Sequence, residues 1–326
     1  MTNLGWSHPE SPFHAGEIIV QERLGVRTKI EAQGRRLIRD YLTEQHRQFF
    51  AQLPFLITGT VDANGRPWAS ILVGKPSFLS TPDHRTLHIS CKPLFGDPLR
   101  ETLTEGIDIG LLGIELPTRR RNRLNGTVIT TASDGFAIQV SQSFGNCPQY
   151  IQARTVELTT GIEDLTTPKP VYRIEALGII ERAAIASADT FFIATAFHGN
   201  ESNLVQGVDV SHRGGKPGFV RVDDERTLTF ADFAGNFHFN TIGNLLLDPR
   251  AGLLFIDFER GSLLYLTGTA EVIWDSDEVY TFTGAERLIR FYVSQGRRVE
   301  GSLPLRWSDP NYSSFLVRTG SWEEVA

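Results

Sequence analysis

SILVGKPSFLSTPDHRTLHI, residues 70–89, has a second version in SHRGGKPGFVRVDDERTLTF, residues 211–230, at an offset of 141. Nine of the 20 aligned positions are identical without a gap. Average residue usage would give about one or two by chance. The correspondence extends outward. At an offset of 142, Gly110-Leu111-Leu112 lies over Gly252-Leu253-Leu254, and Leu124-Asn125-Gly126-Thr127 over Leu266-Thr267-Gly268-Thr269. At an offset of 136, Phe55-Leu56-Ile57-Thr58 lies over Phe191-Phe192-Ile193-Ala194. The smaller offset upstream predicts a longer loop in the second copy, at residues 199–207. The chain therefore reads as a tandem duplication. Its expected divisions are an N-terminal extension and helix (1–54), a first unit (55–170) and a second unit (171–326).

Within each copy, short runs rich in β-branched and aromatic residues are bounded by Gly, Pro, Asn or Asp, which is the pattern of strands. In the first copy these are residues 55–61, 69–73, 86–90, 107–114 and 124–131. The second copy repeats them at 191–197, 218–222, 227–231, 252–258 and 263–273. Asn64-Gly65 marks a hairpin turn. Apolar spacing predicts an amphipathic helix over 30–53, stopped by Pro54. Shorter helices are expected at 98–105, 240–247 and 284–294. The fold class is mainly β: two tandem six-stranded barrels with a few peripheral helices.

Composition excludes several classes. The 326 residues are 40% hydrophobic and 21% charged, a globular mix. A net charge of −6 disfavours nucleic acid as a partner. The apolar runs are too short to span a bilayer, and the N-terminus reads as no secretory signal. Two cysteines, Cys91 and Cys147, suit a reducing compartment, so the expected location is cytoplasmic. His84 and His88 straddle a turn and make no metal pair. Gly215-Lys216 lacks the spacing of a phosphate loop, since Val210 and Pro217 stand where glycine and a hydroxyl are needed. No His lies near Cys147 in sequence, so Cys147 reads as structural.

One polar, glycine-rich cluster remains in the second copy. Ser211-His212-Arg213-Gly214-Gly215-Lys216-Pro217-Gly218-Phe219 is followed by Asp232-Phe233-Ala234-Gly235-Asn236-Phe237-His238-Phe239-Asn240-Thr241-Ile242-Gly243-Asn244. Arg213 and Lys216 can pair with phosphate, and Asn240 opens a short helix whose N-terminus suits an anion. Turn formation accounts for the same residue types.

At these residues the chain resembles FMN-binding split-barrel proteins related to pyridoxamine 5′-phosphate oxidase, in their tandem-barrel branch. The carrying segment is TLTFADFAGNFHFNTIGNLLLDPRAGLLF, residues 227–255, and the Arg119–Arg123 run, residues 142–151 and residues 11–17 add to it. The resemblance implies FMN in a cleft between two barrels, one per chain, and hydride transfer through flavin N5 to or from an unassigned small-molecule substrate or nicotinamide donor. From the second half it implies Ser211, His212, Arg213, Lys216, Asp232, Phe233, Asn236, Asn240, Thr241 and Asn244 near the flavin. From the first half it implies Trp68, Ser70, Arg121, Gln142, Asn146 and Tyr150 closing the cleft. No residue stands out as an acid or base; His212 and Tyr150 are the nearest candidates. The sequence given carries no reductase module, so a separate electron donor is expected, and homodimerisation is common among such proteins. A flavin or haem carrier without turnover is the alternative, with His238 or His198 as haem ligand.

Overall fold

A computed structural model describes residues 5–159, 165–199 and 204–322. Three helices come first: α1 (Ala15–Arg23), α2 (Arg27–Leu37) and α3 (Glu44–Ala51). The first sheet is built from β1 (Phe55–Val61), β2 (Pro67–Val73), β3 (Leu79–Ser80), β4 (Thr86–Ile89), β5 (Asp108–Glu115), β6 (Arg120–Ala132) and β7 (Gly135–Gly145). Short helix α4 (Leu99–Thr102) interrupts it. Strands β8 (Val156–Leu158) and β9 (Val171–Ile174) and helix α5 (Ile179–Ser187) lead into the second sheet. That sheet holds β10 (Thr190–Phe197), β11 (Gly207–Gly214), β12 (Val220–Val222), β13 (Thr227–Phe233), β14 (Arg250–Ile256), β15 (Leu263–Ile273) and β16 (Ala285–Val299). Helix α6 (Asn240–Leu247) precedes β14, α7 (Asp277–Thr281) precedes β16, and β17 (Leu305–Trp307) pairs with β8.

The first sheet runs β2-β1-β5-β6-β7-β4-β3 and the second β11-β10-β14-β15-β16-β13-β12. Renumbered from its own first strand, the second order is the same as the first. All pairs are antiparallel. The expected six strands become seven in each order, because short β3 and β12 extend the edge beyond β4 and β13; β9 adds to the second sheet against β16.

Three apolar clusters explain why the strands read as near-continuous hydrophobic runs. Leu56 of β1 and Leu72 of β2 point into a core belonging to the first half. Phe191 and Ile193 of β10 point into one belonging to the second. The alternate residues Phe55, Ile57, Phe192 and Ala194 meet in a third cluster between the sheets. A strand's two faces alternate residue by residue, so strands buried on both sides must be apolar throughout. The two sheets approach closely at paired glycines. A Cβ on Gly110 would stand 2.5 Å from the Val208 carbonyl oxygen, and one on Gly252 would stand 2.3 Å from that of Pro67. Asp97 ties the same seam, accepting from Leu99 N at 2.8 Å and from Tyr265 Oη at 3.0 Å.

Two expected helices are corrected. The segment 30–53 is two helices, because Arg39 leaves the helical path to pair with Ser143 of β7. Thr43 then caps a new start, its Oγ1 accepting from His46 N at 3.2 Å. The segment 284–294 is strand, not helix: β16 is hydrogen-bonded on one side to β13 and on the other to β15. Ile289, Phe291 and Val293 are buried while Tyr292 is exposed, which is a period of two. Helices α1 and α5 and strands β7 and β11 carried no expectation. The longer loop expected at 199–207 falls partly outside the described residues.

Candidate functional site

A cleft opens where β6 of the first half faces β11, β13 and α6 of the second. Arg121 and Arg123 are two residues apart on β6, and so are Ser211 and Arg213 on β11, so each pair shares a face of its strand. Asp232 and Phe233 end β13, where the pairing with β16 shifts register. Asn240 and Thr241 begin α6 directly after Phe239, whose φ of 64° turns the chain into the helix. Arg121, Arg123, Arg213 and Asp232 line a cavity of about 90 Å³ with Phe233, Phe237, Phe239, Asn240 and Thr241. A neighbouring cavity of about 60 Å³ shares Arg121, Arg213, Asp232, Phe233 and Gly235, and adds Gln149, Tyr150 and His212.

The charges in this cleft are unequal. Arg123 Nη1 pairs with Asp209 Oδ1 at 2.8 Å, and its Nη2 donates to Ser211 Oγ. Arg213 and Arg287 share Asp232, at 3.3 and 3.4 Å. Arg121 has no carboxylate partner among the described residues; its Nε donates to the Cys147 carbonyl at 2.7 Å. Withdrawal from solvent, followed by the like charges of Arg123 and Arg213, lowers the Arg121 pKa to about 9. Burial likewise lowers Arg213, against the pull of Asp232. His212 is held well below its usual value by burial and then by Arg121, Arg213 and Arg154, so it is neutral at pH 7. Among the described residues its Nε2 has no hydrogen-bond partner, and neither do Arg123 Nε, Arg213 Nε and Asn146 Nδ2. Guanidiniums crowded together at partial burial are relieved by an anion.

Most of the expected residues converge. Ser211, Arg213, Asp232, Phe233, Asn236, Asn240, Thr241, Arg121 and Asn146 line the larger cavity, while His212 and Tyr150 line the smaller. Asn236 Nδ2 donates to Asn146 Oδ1 at 2.9 Å, closing the cleft across the two halves. Tyr150 lies 5.1 Å from Phe233 between ring centroids. Five residues lie elsewhere. Asn244 stands behind the cleft, donating to Thr195 Oγ1 at 3.0 Å. Trp68 is buried and donates to Asp62 Oδ2 at 3.1 Å. Gln142 donates to the Pro12 carbonyl at 2.9 Å. Ser70 is buried in β2, and Lys216 lines neither cavity.

Arg123, Phe237 and Phe239 also line the larger cavity; the sequence places them in the arginine run and the polar cluster without singling them out. Alternation along β6 was the available signal for Arg123, since it shares a face with Arg121. The N-terminal extension also supports the site: Glu17 of α1 accepts from Asn240 Nδ2. Burial, then Asp209, raises the Glu17 pKa well above its usual value. Of the two haem-ligand candidates, His198 is exposed and 3.0 Å from Asp108 Oδ2. His238 is enclosed by Phe13 and Phe144 at 5.3 and 5.4 Å and lines neither cavity.

No family model matches the chain. No curated protein matches it either. Among solved structures, it is similar to HupZ of Group A Streptococcus, at 14% identity and a TM-score of 0.29, over 36% of this chain and 89% of that one. It is similar to a proposed pyridoxamine 5′-phosphate oxidase from Lactobacillus delbrueckii, at 15% identity and a TM-score of 0.30, over 37% and 93%. A FAD-binding protein from Mycobacterium smegmatis matches at 12% identity and a TM-score of 0.27, over 39% and 99%.

Proposed function

We propose that the chain is an FMN-binding oxidoreductase whose one flavin lies in the cleft between its halves. The observation that carries this reading is Arg121, a guanidinium crowded by Arg123 and Arg213 and lacking a carboxylate. The donor set fits a flavin phosphate and a ring edged by carbonyls. Cations and unpartnered N–H groups stand beside Phe233, Phe237 and Phe239, which offer apolar faces. The enclosed volumes are small, so the flavin would lie along an open groove and not in a sealed pocket.

A bound flavin would supply hydride transfer through its N5. The chain's own residues bind and orient. Arg121 and Arg213 neutralise the phosphate, and Asp232 holds Arg213 in place. Asn146 and Asn236 fix the cleft's width. Neutral His212 adds no charge beside the smaller cavity. The shared strand order supports the duplication, by which one chain would supply both walls.

The test is an absorption spectrum of the purified chain, followed by chromatography of what heat releases. Flavin bands with released FMN are expected. A colourless protein that FMN cannot reconstitute overturns the reading. Flavin that stays bound without accepting electrons from a nicotinamide donor favours the carrier alternative.

A further inference from the structure

Strand β9 leaves one edge open. It pairs with the end of β16, Val171 opposite Val299 and Ile174 opposite Gly296. Among the described residues no other strand pairs with it. Glu300 N donates to the Pro170 carbonyl at 3.1 Å, one step further along the same register. Hydrogen-bonded positions alternate along an antiparallel strand, so Pro170, Tyr172 and Ile174 turn their backbone groups to β16. Val171 and Arg173 turn theirs outward. A proline often blunts a free edge, but the nitrogen of Pro170 faces β16, so it takes no donor from the outer side.

The matching segment of the first half is covered. At the offset of 136 that aligns Phe55 with Phe191, Val171 falls on Arg35 and Ile174 on Ile38. The Arg35 carbonyl accepts from Trp6 N at 2.8 Å, and Ile38 is buried in a cluster with Trp6 and Phe13. The N-terminal extension thus closes the first half where the second half is bare. The bare surface is also apolar. Tyr172 is 45% exposed, and Ile179 and Ile180 of α5 are 88% and 57% exposed. Arg298 joins them: its Nε donates to Glu181 Oε1 of α5 at 2.8 Å, and its guanidinium lies 4.3 Å from the centre of the Tyr172 ring. Tyr172 and the first turn of α5 therefore share one surface.

We propose that a second copy of the chain pairs with this edge, β9 against β9, antiparallel about a two-fold axis at Tyr172. Charge selects both the partner and the register. Lys169 and Glu175 are both exposed, and with Tyr172 opposite Tyr172 each Lys169 faces the partner's Glu175. Val171 and Arg173 then face each other in hydrogen-bonded pairs, two on either side of the axis, giving four backbone bonds. Moving the axis to Val171 sets Lys169 against Arg173, and moving it to Arg173 sets that arginine against its own copy. Like charges directly opposite oppose pairing, so only the register at Tyr172 is left. A symmetric contact of this kind closes on itself and makes a dimer, not a fibre. No residue lining the cleft takes part, and the inference does not rest on the flavin reading.

Sedimentation of the full chain tests it. An interface this small should give a dimer Kd of about 1 to 100 µM, so the chain is run from about 1 to 200 µM. Glu175→Lys is expected to weaken the dimer about tenfold or more, because symmetry counts the change twice. Adding Lys169→Glu to the same chain should restore it, with the charges exchanged. Val171→Pro, which removes an outward donor and no bond to β16, should leave a monomer. Tyr172→Cys should form a disulfide between copies on mild oxidation, where the parent chain does not. A chain that stays monomeric over that range overturns the proposal and leaves the edge to an extended peptide of another protein. A dimer that survives both Glu175→Lys and Val171→Pro also overturns it, since the copies would then meet elsewhere.

Discussion

Arg121 separates the anion reading from a purely structural one. Outside the cleft, Arg66 and Arg85 each have a carboxylate close by, Asp62 and Asp40. Arg121 has a carbonyl instead and two neighbouring arginines. Replacing it with glutamine should leave stability unchanged or raised, since a crowded charge is removed. The same change should weaken FMN. A hydrogen bond to a charged group contributes about 1.5–3 kcal/mol, which is roughly tenfold to hundredfold in Kd. Fluorescence titration of apoprotein with FMN measures it, and an unaltered Kd together with a lower melting temperature would assign Arg121 to the fold. Arg123 was harder to find in the sequence because the run Arg119–Arg123 gives no sign of which arginines face inward. Only the strand's parity does, and that depends on β6 beginning at Arg120.

Helix α6 shows how an element carries the site. Its residues 240–247 were legible at both ends, because Asp248-Pro249 stops a helix and a polar pair opens one. Its docking was not legible. A Cβ on Gly243 would stand 2.6 Å from the Glu17 backbone nitrogen, so α1 lies directly on this glycine and brings Glu17 to Asn240. Gly243→Ala should push α1 away and cost about 1–3 kcal/mol, as overpacking does. Denaturant unfolding checks the stability, and faster FMN release would follow from losing the Glu17–Asn240 bond. A variant as stable as the parent would deny that α1 bears on the site. Strand β16 was misread for the opposite reason. Leu288, Ile289, Phe291 and Val293 satisfy a helical spacing over one turn, and only partners distant in sequence, β13 and β15, decide for the strand. The places of Trp68 and Gln142 were lost in the same way, each tied to a neighbour, Asp62 or Pro12, that no sequence motif names.

At the scale of the whole molecule, the two halves meet through a seam that repeats itself. Gly110 approaches Val208 as Gly252 approaches Pro67, and Val208 is the residue 141 positions after Pro67. Gly252→Ala should therefore cost about 1–3 kcal/mol with no change at the cleft's own residues, as measured by thermal unfolding. The molecule's pH response is set by its interior. Burial lowers His14, His46 and His238 to about 4, and it holds His212 well below its usual value. Between about pH 4 and the ordinary histidine pKa of about 6.5, the unfolded chain binds protons that His14, His46 and His238 refuse, and His212 is shifted in the same direction. Their contribution to stability is present above that window and is lost as the pH falls through it. Two carboxyls oppose them. Asp97 is raised to about 6 and Glu17 well above its usual value, both first by burial, so the folded state takes up protons there that the unfolded chain does not. The four imidazoles outnumber the two carboxyls, so stability should fall as the pH drops below neutrality. Urea midpoints taken from pH 7 down to pH 5 should fall. His46→Gln removes one of the four imidazoles and should flatten that slope, whereas a slope unchanged by it would mean that His46 takes up its proton in the folded chain.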